Sequence, residues 1–118
     1  MASPQRIARV REEVRKEASD ILRKMKDPRL GFVTVTGADV SPDLRHVKIY
    51  VSVYGDDAET ERTMAALLSA TGFVRTELGQ RIRLRYTPEV VFKLDNSARH
   101  GARIEELLAD LYRPQEES

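Results

Sequence analysis

The chain contains no cysteine. That excludes a disulfide framework, a cysteine-ligated zinc and a cysteine nucleophile, and it is compatible with a reducing compartment. Histidine is nearly as scarce, and His46 and His100 are too isolated to suggest a metal site. Long apolar runs are missing too. The longest, Met64 to Leu68, falls far short of the roughly 20 residues needed to cross a bilayer. The opening MASPQRIARV has no apolar signal-peptide core, so a cytoplasmic protein without membrane contact is expected. There is no Walker-type phosphate loop and no G-x-S-x-G elbow. Serines without a partnered histidine make no nucleophile. No enzyme and no cofactor are expected.

What is present suffices for one ordinary domain. The 118 residues are 41% hydrophobic and 33% charged, enough for a core without a metal or disulfide staple. The net charge of +1 hides segregation. Residues 1–26 carry a net +4 and residues 75–93 a net +3, whereas Asp56, Asp57, Glu59 and Glu61 make the intervening stretch acidic, as five acids do at 104–118. Basic stretches of this kind are candidate phosphate contacts, against the plain alternative of a solvated surface.

Ser3-Pro4 reads as an N-cap followed by a first-turn proline. Ile7, Val10, Val14, Ala18, Ile21, Leu22 and Met25 then form one helical stripe, which Asp27-Pro28 stops. Arg11, Arg15, Lys16, Arg23 and Lys26 share one flank of this helix, while Arg6, Arg9 and Lys24 mix with acids on the other. A strand opens at Phe32 and continues through Gly37 to Val40, with the glycine marking a bulge or close approach. After a turn at Ser41-Pro42-Asp43-Leu44, a second strand puts Val47, Ile49, Val51 and Val53 on its apolar face. An acid-started helix carries Met64, Leu67 and Leu68, Ala70-Thr71-Gly72 interrupts it, and a second short helix runs to Gly79. Alternation from Arg81 to Leu94 predicts a long strand pointing Arg81, Arg83 and Arg85 the same way, with Pro88 at an edge or bulge. Ser97 caps a last helix with Ile104, Leu107, Leu108 and Leu111, which Pro114 closes before an acidic tail.

The expected fold is α+β, in the order α-β-β-α-α-β-α. It has a three-stranded mixed sheet with helices packed on one face. Residues 1–113 form a single domain and 114–118 a frayed acidic tail. Three guanidiniums spaced by two on a strand suit phosphates and bases. A tight break at 70–72 would expose helix-start N–H groups to a phosphate, with Arg75 one turn on.

The order of elements resembles a type II KH domain, with Ala-x-Gly in place of the usual G-x-x-G turn. The residues also closely resemble bacterial ribosome-binding factor A. They are Asp27-Pro28-Arg29-Leu30, Val33-Thr34-Val35-Thr36, Val40-Ser41-Pro42-Asp43-Leu44, Tyr50-Val51-Ser52, Gly72-Phe73-Val74-Arg75, Arg85-Tyr86-Thr87-Pro88-Glu89 and Phe92-Lys93-Leu94-Asp95. The resemblance spans about Arg6 to Leu111. It implies a non-catalytic, cytoplasmic assembly factor, which binds the immature small ribosomal subunit and assists 16S rRNA maturation and growth in the cold. An assembly GTPase and other maturation factors are implied as functional partners, and a monomer is expected. By analogy Ala70, Thr71 and Gly72 form the nucleic-acid turn beside Arg75. Charge and geometry alone add Arg11, Arg15, Lys48, Arg81, Arg83 and Arg85. Two rival readings are a module binding an acidic protein partner and, last, a metal-dependent nuclease using the acids at Asp56–Glu61.

Overall fold

The computed structural model describes residues 2–95. Helix α1 runs Pro4–Met25 and a 3-10 turn spans Pro28–Leu30. They are followed by β1 (Phe32–Val40), β2 (His46–Tyr54), α2 (Asp57–Arg81) and β3 (Glu89–Leu94). Ser3 caps α1 by accepting the Arg6 N–H at 3.1 Å, and Lys26 ends it in the left-handed conformation. The expected final helix, Ser97 and His100 lie outside the described residues, as does the acidic tail.

The sheet order is β1-β2-β3, with β1 antiparallel and β3 parallel to β2. It is mixed, as the crossover through α2 requires. Pairing slips between Val35 and Gly37, so Thr36 is the extra residue of a bulge and the Gly37 expectation holds. Both helices cover the same face. Val10, Val14, Ala18, Ile21 and Leu22 of α1 and Ala66, Leu67, Ala70, Val74 and Leu78 of α2 are buried, as are Val35, Val47, Ile49, Val51 and Val90 of the sheet. These residues form one contiguous core, joined by Leu30 and Ile82. The opposite sheet face is open and carries Phe32 and Tyr54, cross-strand neighbours that are 82% and 80% exposed.

Two local expectations are corrected. The helices predicted on either side of Ala70-Thr71-Gly72 are one continuous helix. Ala70 lies in the buried stripe between Leu67 and Val74, so burial carries the helix through. Gly72 is exposed, with ordinary negative φ and open space where a Cβ would sit. Thr71 and Thr76 turn their hydroxyls back onto the carbonyls of Leu67 and Gly72, at 3.0 Å each. Such back-bonding satisfies the hydroxyls locally inside a helix. Nor does Gly79 stop α2. A Cβ there would meet the Thr87 side chain at 3.1 Å, so glycine admits the close approach of the 82–88 segment.

The long strand from Arg81 to Leu94 is also replaced. Arg81 ends α2, and only Glu89–Leu94 pairs with β2. The ladder starts at His46 opposite Glu89. Upstream of His46 lies the 41–45 turn, so residues 82–88 have no β2 segment to pair with. Pro88 has no N–H to offer. The in–out alternation survives as burial of Ile82 and Pro88 and half-burial of Leu84.

Candidate nucleic-acid interface

Helix geometry, not strand geometry, decides the fate of Arg81. From the last turn of α2 its guanidinium reaches Asp20 at 2.7 Å, Glu77 at 3.5 Å and Glu17 at 3.7 Å. Asp20 also receives Arg23 at 2.7 Å and Lys24 at 3.1 Å. Hydrogen bonds from Arg81, then Arg23 and Lys24, hold the Asp20 carboxyl far below the ordinary aspartate range. The same contact to Asp20 raises the Arg81 value. Arg81 is therefore committed to tying α2 to α1.

Several other expected contacts are likewise engaged within the chain. Arg75 donates from Nε to the Pro88 carbonyl at 3.0 Å and pairs with Glu89 at 3.2 Å, which fixes the entry to β3. Arg15 pairs with Glu12 on its own helix, and that hydrogen bond lowers the Glu12 value. Ala70 is buried and Thr71 half-buried, so the 70–72 segment presents no row of free N–H groups. Arg11 is exposed on α1 and Lys48 is exposed on the open sheet face.

Arg83 and Arg85 have a different setting. The turn at 41–45 is held by Leu44 N–H to the Ser41 carbonyl at 2.9 Å and by Asp43, which accepts from the Ser41 hydroxyl at 2.6 Å and the Arg45 N–H at 3.0 Å. These bonds lower the Asp43 value. Leu44 accepts a φ of 62° there, a strained conformation for a non-glycine residue. Its half-buried side chain packs against the core, and Arg45 is left facing outward. Ala2 N–H donates to the Pro42 carbonyl at 3.2 Å, which brings the start of α1 to this turn.

The result is a pole where three distant stretches meet. A cavity of about 330 Å³ is lined by Ala2, Arg6, Asp43, Leu44, Arg45, Leu84, Arg85 and Tyr86. A second, about 400 Å³, is lined by Arg6, Arg9, Val10, Glu13, Arg81, Ile82 and Arg83. The Arg45 guanidinium lies 4.3 Å from the Tyr86 ring centroid, and that of Arg85 lies 5.5 Å away. Tyr86 stays 47% exposed. Arg6, Arg9, Arg45, Arg83 and Arg85 are exposed and, among the described residues, none has a carboxylate partner. Guanidiniums without an ion-paired carboxylate suit bidentate phosphate contacts, and an exposed ring among them suits a stacked base.

Sequence reading missed Arg6, Arg9, Arg45 and Tyr86 as members of this group. Arg6 and Arg9 look diluted by acids on the helical wheel, and Arg45 is a lone cation after a turn. Only the adjacent Arg85-Tyr86 pair gave a local signal. Among the described residues no three acidic or histidine side chains converge to hold a metal ion. Asp56 instead caps α2 by accepting the Glu59 N–H at 2.8 Å. No helix among the described residues is long and apolar enough to cross a membrane.

Comparison with known proteins agrees with this architecture. The family model described as ribosome-binding factor A matches residues 6–108. Ribosome-binding factor A of Halothermothrix orenii is 54% identical over 105 residues, covering 88% of this chain and 86% of that protein. A solution structure from Thermotoga maritima, described as a ribosome-binding factor A, is 35% identical with a TM-score of 0.69, covering 79% of this chain and 90% of the other. The crystal structure of the Thermus thermophilus factor shares the fold at 24% identity, with a TM-score of 0.68 and coverage of 75% and 94%. A Thermus thermophilus ribosome-binding factor A fitted into a map of its complex with the 30S subunit also shares it, at 23% identity, a TM-score of 0.62 and coverage of 73% and 91%. The chain belongs to the ribosome-binding factor A family.

Proposed function

We propose that this chain is a cytoplasmic, non-catalytic assembly factor, which binds the immature small ribosomal subunit and assists maturation of 16S rRNA, including during growth in the cold. Family membership supports ribosome binding, and the 30S complex of the Thermus relative supports the small subunit as its target. The observation carrying the molecular reading is the convergence of Arg6, Arg9, Arg45, Arg83 and Arg85 on two cavities that share Arg6, with Arg45 and Arg85 beside the Tyr86 ring.

In this reading Arg6, Arg9, Arg45, Arg83 and Arg85 neutralise rRNA phosphates, with Tyr86 offering its ring to a base. Arg11 and Lys48, exposed elsewhere on the surface, contribute more distant phosphate contacts. Arg15, Arg75 and Arg81 act by positioning elements, and Ala70, Thr71 and Gly72 lie within the continuous α2. Binding stabilises whichever RNA conformer fits this pole, which is how a non-catalytic factor biases maturation. The protein acts as a monomer, alongside an assembly GTPase and other maturation factors.

Phosphate neutralisation releases counterions, so affinity must fall steeply with salt. Co-sedimentation with small subunits, large subunits and mature ribosomes across a salt series tests this. Selective, salt-sensitive binding to small subunits is expected. Retention on a protein partner after nuclease treatment, with no small-subunit binding, would overturn it.

A further inference from the structure

The open edge of β3 is bordered by a groove of about 300 Å³, lined by Met64, Leu68 and Thr71 of α2 and by Val90, Val91 and Phe92 of β3. Leu68 is 77% exposed and Val91 47%. Among the described residues no strand pairs with that edge. Glu89 N–H donates to the Arg45 carbonyl and Asp95 N–H to the Val51 carbonyl, so odd-numbered residues point their backbone groups towards β2. Those of Val90, Phe92 and Leu94 point the other way, outward. Proteins cover such an edge or blunt it, because it templates pairing with other chains.

We propose that this groove is the seat of the chain's own segment 104–111, running in the same direction as α2. Three observations select this occupant. The first is where the chain leads. Asp95 is fixed at the end of β3 by Val51 and by the Thr36 hydroxyl at 2.7 Å. That end adjoins the start of α2, because only Gly55 and Asp56 separate β2 from α2. The described chain therefore stops nearer the Met64 end of the groove than its Thr71 end.

The second is length and pattern. Met64 to Thr71 spans eight residues of helix, about 10 Å from first to last. Ile104, Leu107, Leu108 and Leu111 occupy the i, i+3, i+4 and i+7 positions over the same length of eight residues. Residues 96–103 are ample to make the turn.

The third is charge order. Asp57, Glu61, Met64, Leu68, Thr71 and Arg75 lie on one face of α2 at alternating four- and three-residue spacing. The face is acidic first, then apolar, then basic. The following segment runs from basic to acidic, with Arg99 and Arg103 before its apolar stripe, Glu105, Glu106 and Asp110 within it, and Glu116 and Glu117 against Arg113 beyond it. Laid in parallel, Arg99 and Arg103 come nearest Asp57 and Glu61, and the acidic end of the segment comes nearest Arg75. An antiparallel placement would bring like charges together.

The cysteine-free chain allows a clean test with the full-length protein. A nitroxide is attached at Ala65→Cys, at Thr76→Cys or at Thr34→Cys, and backbone amide signals of residues 104–111 are recorded. Ala65 and Thr76 are exposed beside the two ends of the groove, and Thr34 is exposed on the opposite sheet face. The label at 65 should broaden Ile104 more than Leu111, the label at 76 should do the reverse, and the label at 34 should broaden neither. Leu107→Glu/Leu108→Glu should remove the broadening while the 2–95 signals stay native. Broadening of an isotope-labelled chain only by a nitroxide on a second, unlabelled chain would put another copy in the groove and overturn the proposal. Absence of broadening from both groove labels would overturn it too.

Discussion

Arg81 and Arg83 are two residues apart and have opposite fates. Arg81 closes α2 and sits among Asp20, Glu17 and Glu77, whereas Arg83 faces a cavity bordered by Arg6 and Arg9. The first region neutralises its charge within the chain and fastens α2 to α1. The second is held in place by backbone bonds and apolar burial, and its guanidiniums have no carboxylate partner among the described residues. Counting basic residues along a sequence cannot separate these uses. What separates them is whether the fold brings a carboxylate within reach.

The largest effect expected from breaking this contrast is on binding. Arg83→Glu/Arg85→Glu should weaken small-subunit affinity by roughly two orders of magnitude at moderate salt, since phosphate contacts are lost and repulsion is added. Its thermal midpoint should stay within a few degrees of wild type, as expected for exposed sites. Equal binding by the folded variant would remove these residues from the interface.

Arg81→Ala should invert that pattern. Calorimetry should show a lower melting temperature, because three acids and the junction of the helices lose their shared cation. Small-subunit affinity should change by no more than about twofold, the scale of an indirect effect. A large affinity loss without destabilisation would make Arg81 a contact after all.

The ion-paired region also has a pH signature. Asp20 is depressed in the folded state by Arg81, Arg23 and Lys24. Its contribution is therefore complete above the ordinary aspartate value near 3.8 and is lost as pH falls through the depressed folded value. Asp20→Asn should melt below wild type at neutral pH, and the gap should close on acidification. A gap that widens in acid would contradict this sign.

The smallest effect concerns the helix that delivers Arg81 to its acids. Gly72→Ala should stabilise the protein by about 0.4–1 kcal/mol, because the site is helical and a methyl meets nothing within 4 Å. Destabilisation of similar size in a denaturant titration would restore a break at 70–72.

Much of the fold was legible because local and long-range preferences agree. Ser3-Pro4 and Asp27-Pro28 bracket α1, and the alternation of Val47, Ile49 and Val51 places β2 with its apolar face on the core. The errors came where they disagree. Gly72 and Gly79 are weak helix formers, but the buried stripe from Leu67 to Leu78 outweighs them. Alternation at 82–88 resembles a strand but lacks a neighbour to pair with. The site was less legible than the fold. Arg83 and Arg85 were proposed from a strand that does not exist, while Arg6 and Arg45 become neighbours of Arg85 only after the turn at 41–45 and the start of α1 converge.

The central claim is that the two arginines differ in whether they meet phosphate. The most direct measurement is the slope of log affinity against log salt for small-subunit binding by wild type, Arg81→Gln and Arg83→Gln. Arg83→Gln should make the slope shallower by about 1, one phosphate contact fewer, and Arg81→Gln should leave it unchanged. An unchanged slope for Arg83→Gln together with a shallower one for Arg81→Gln would contradict the account.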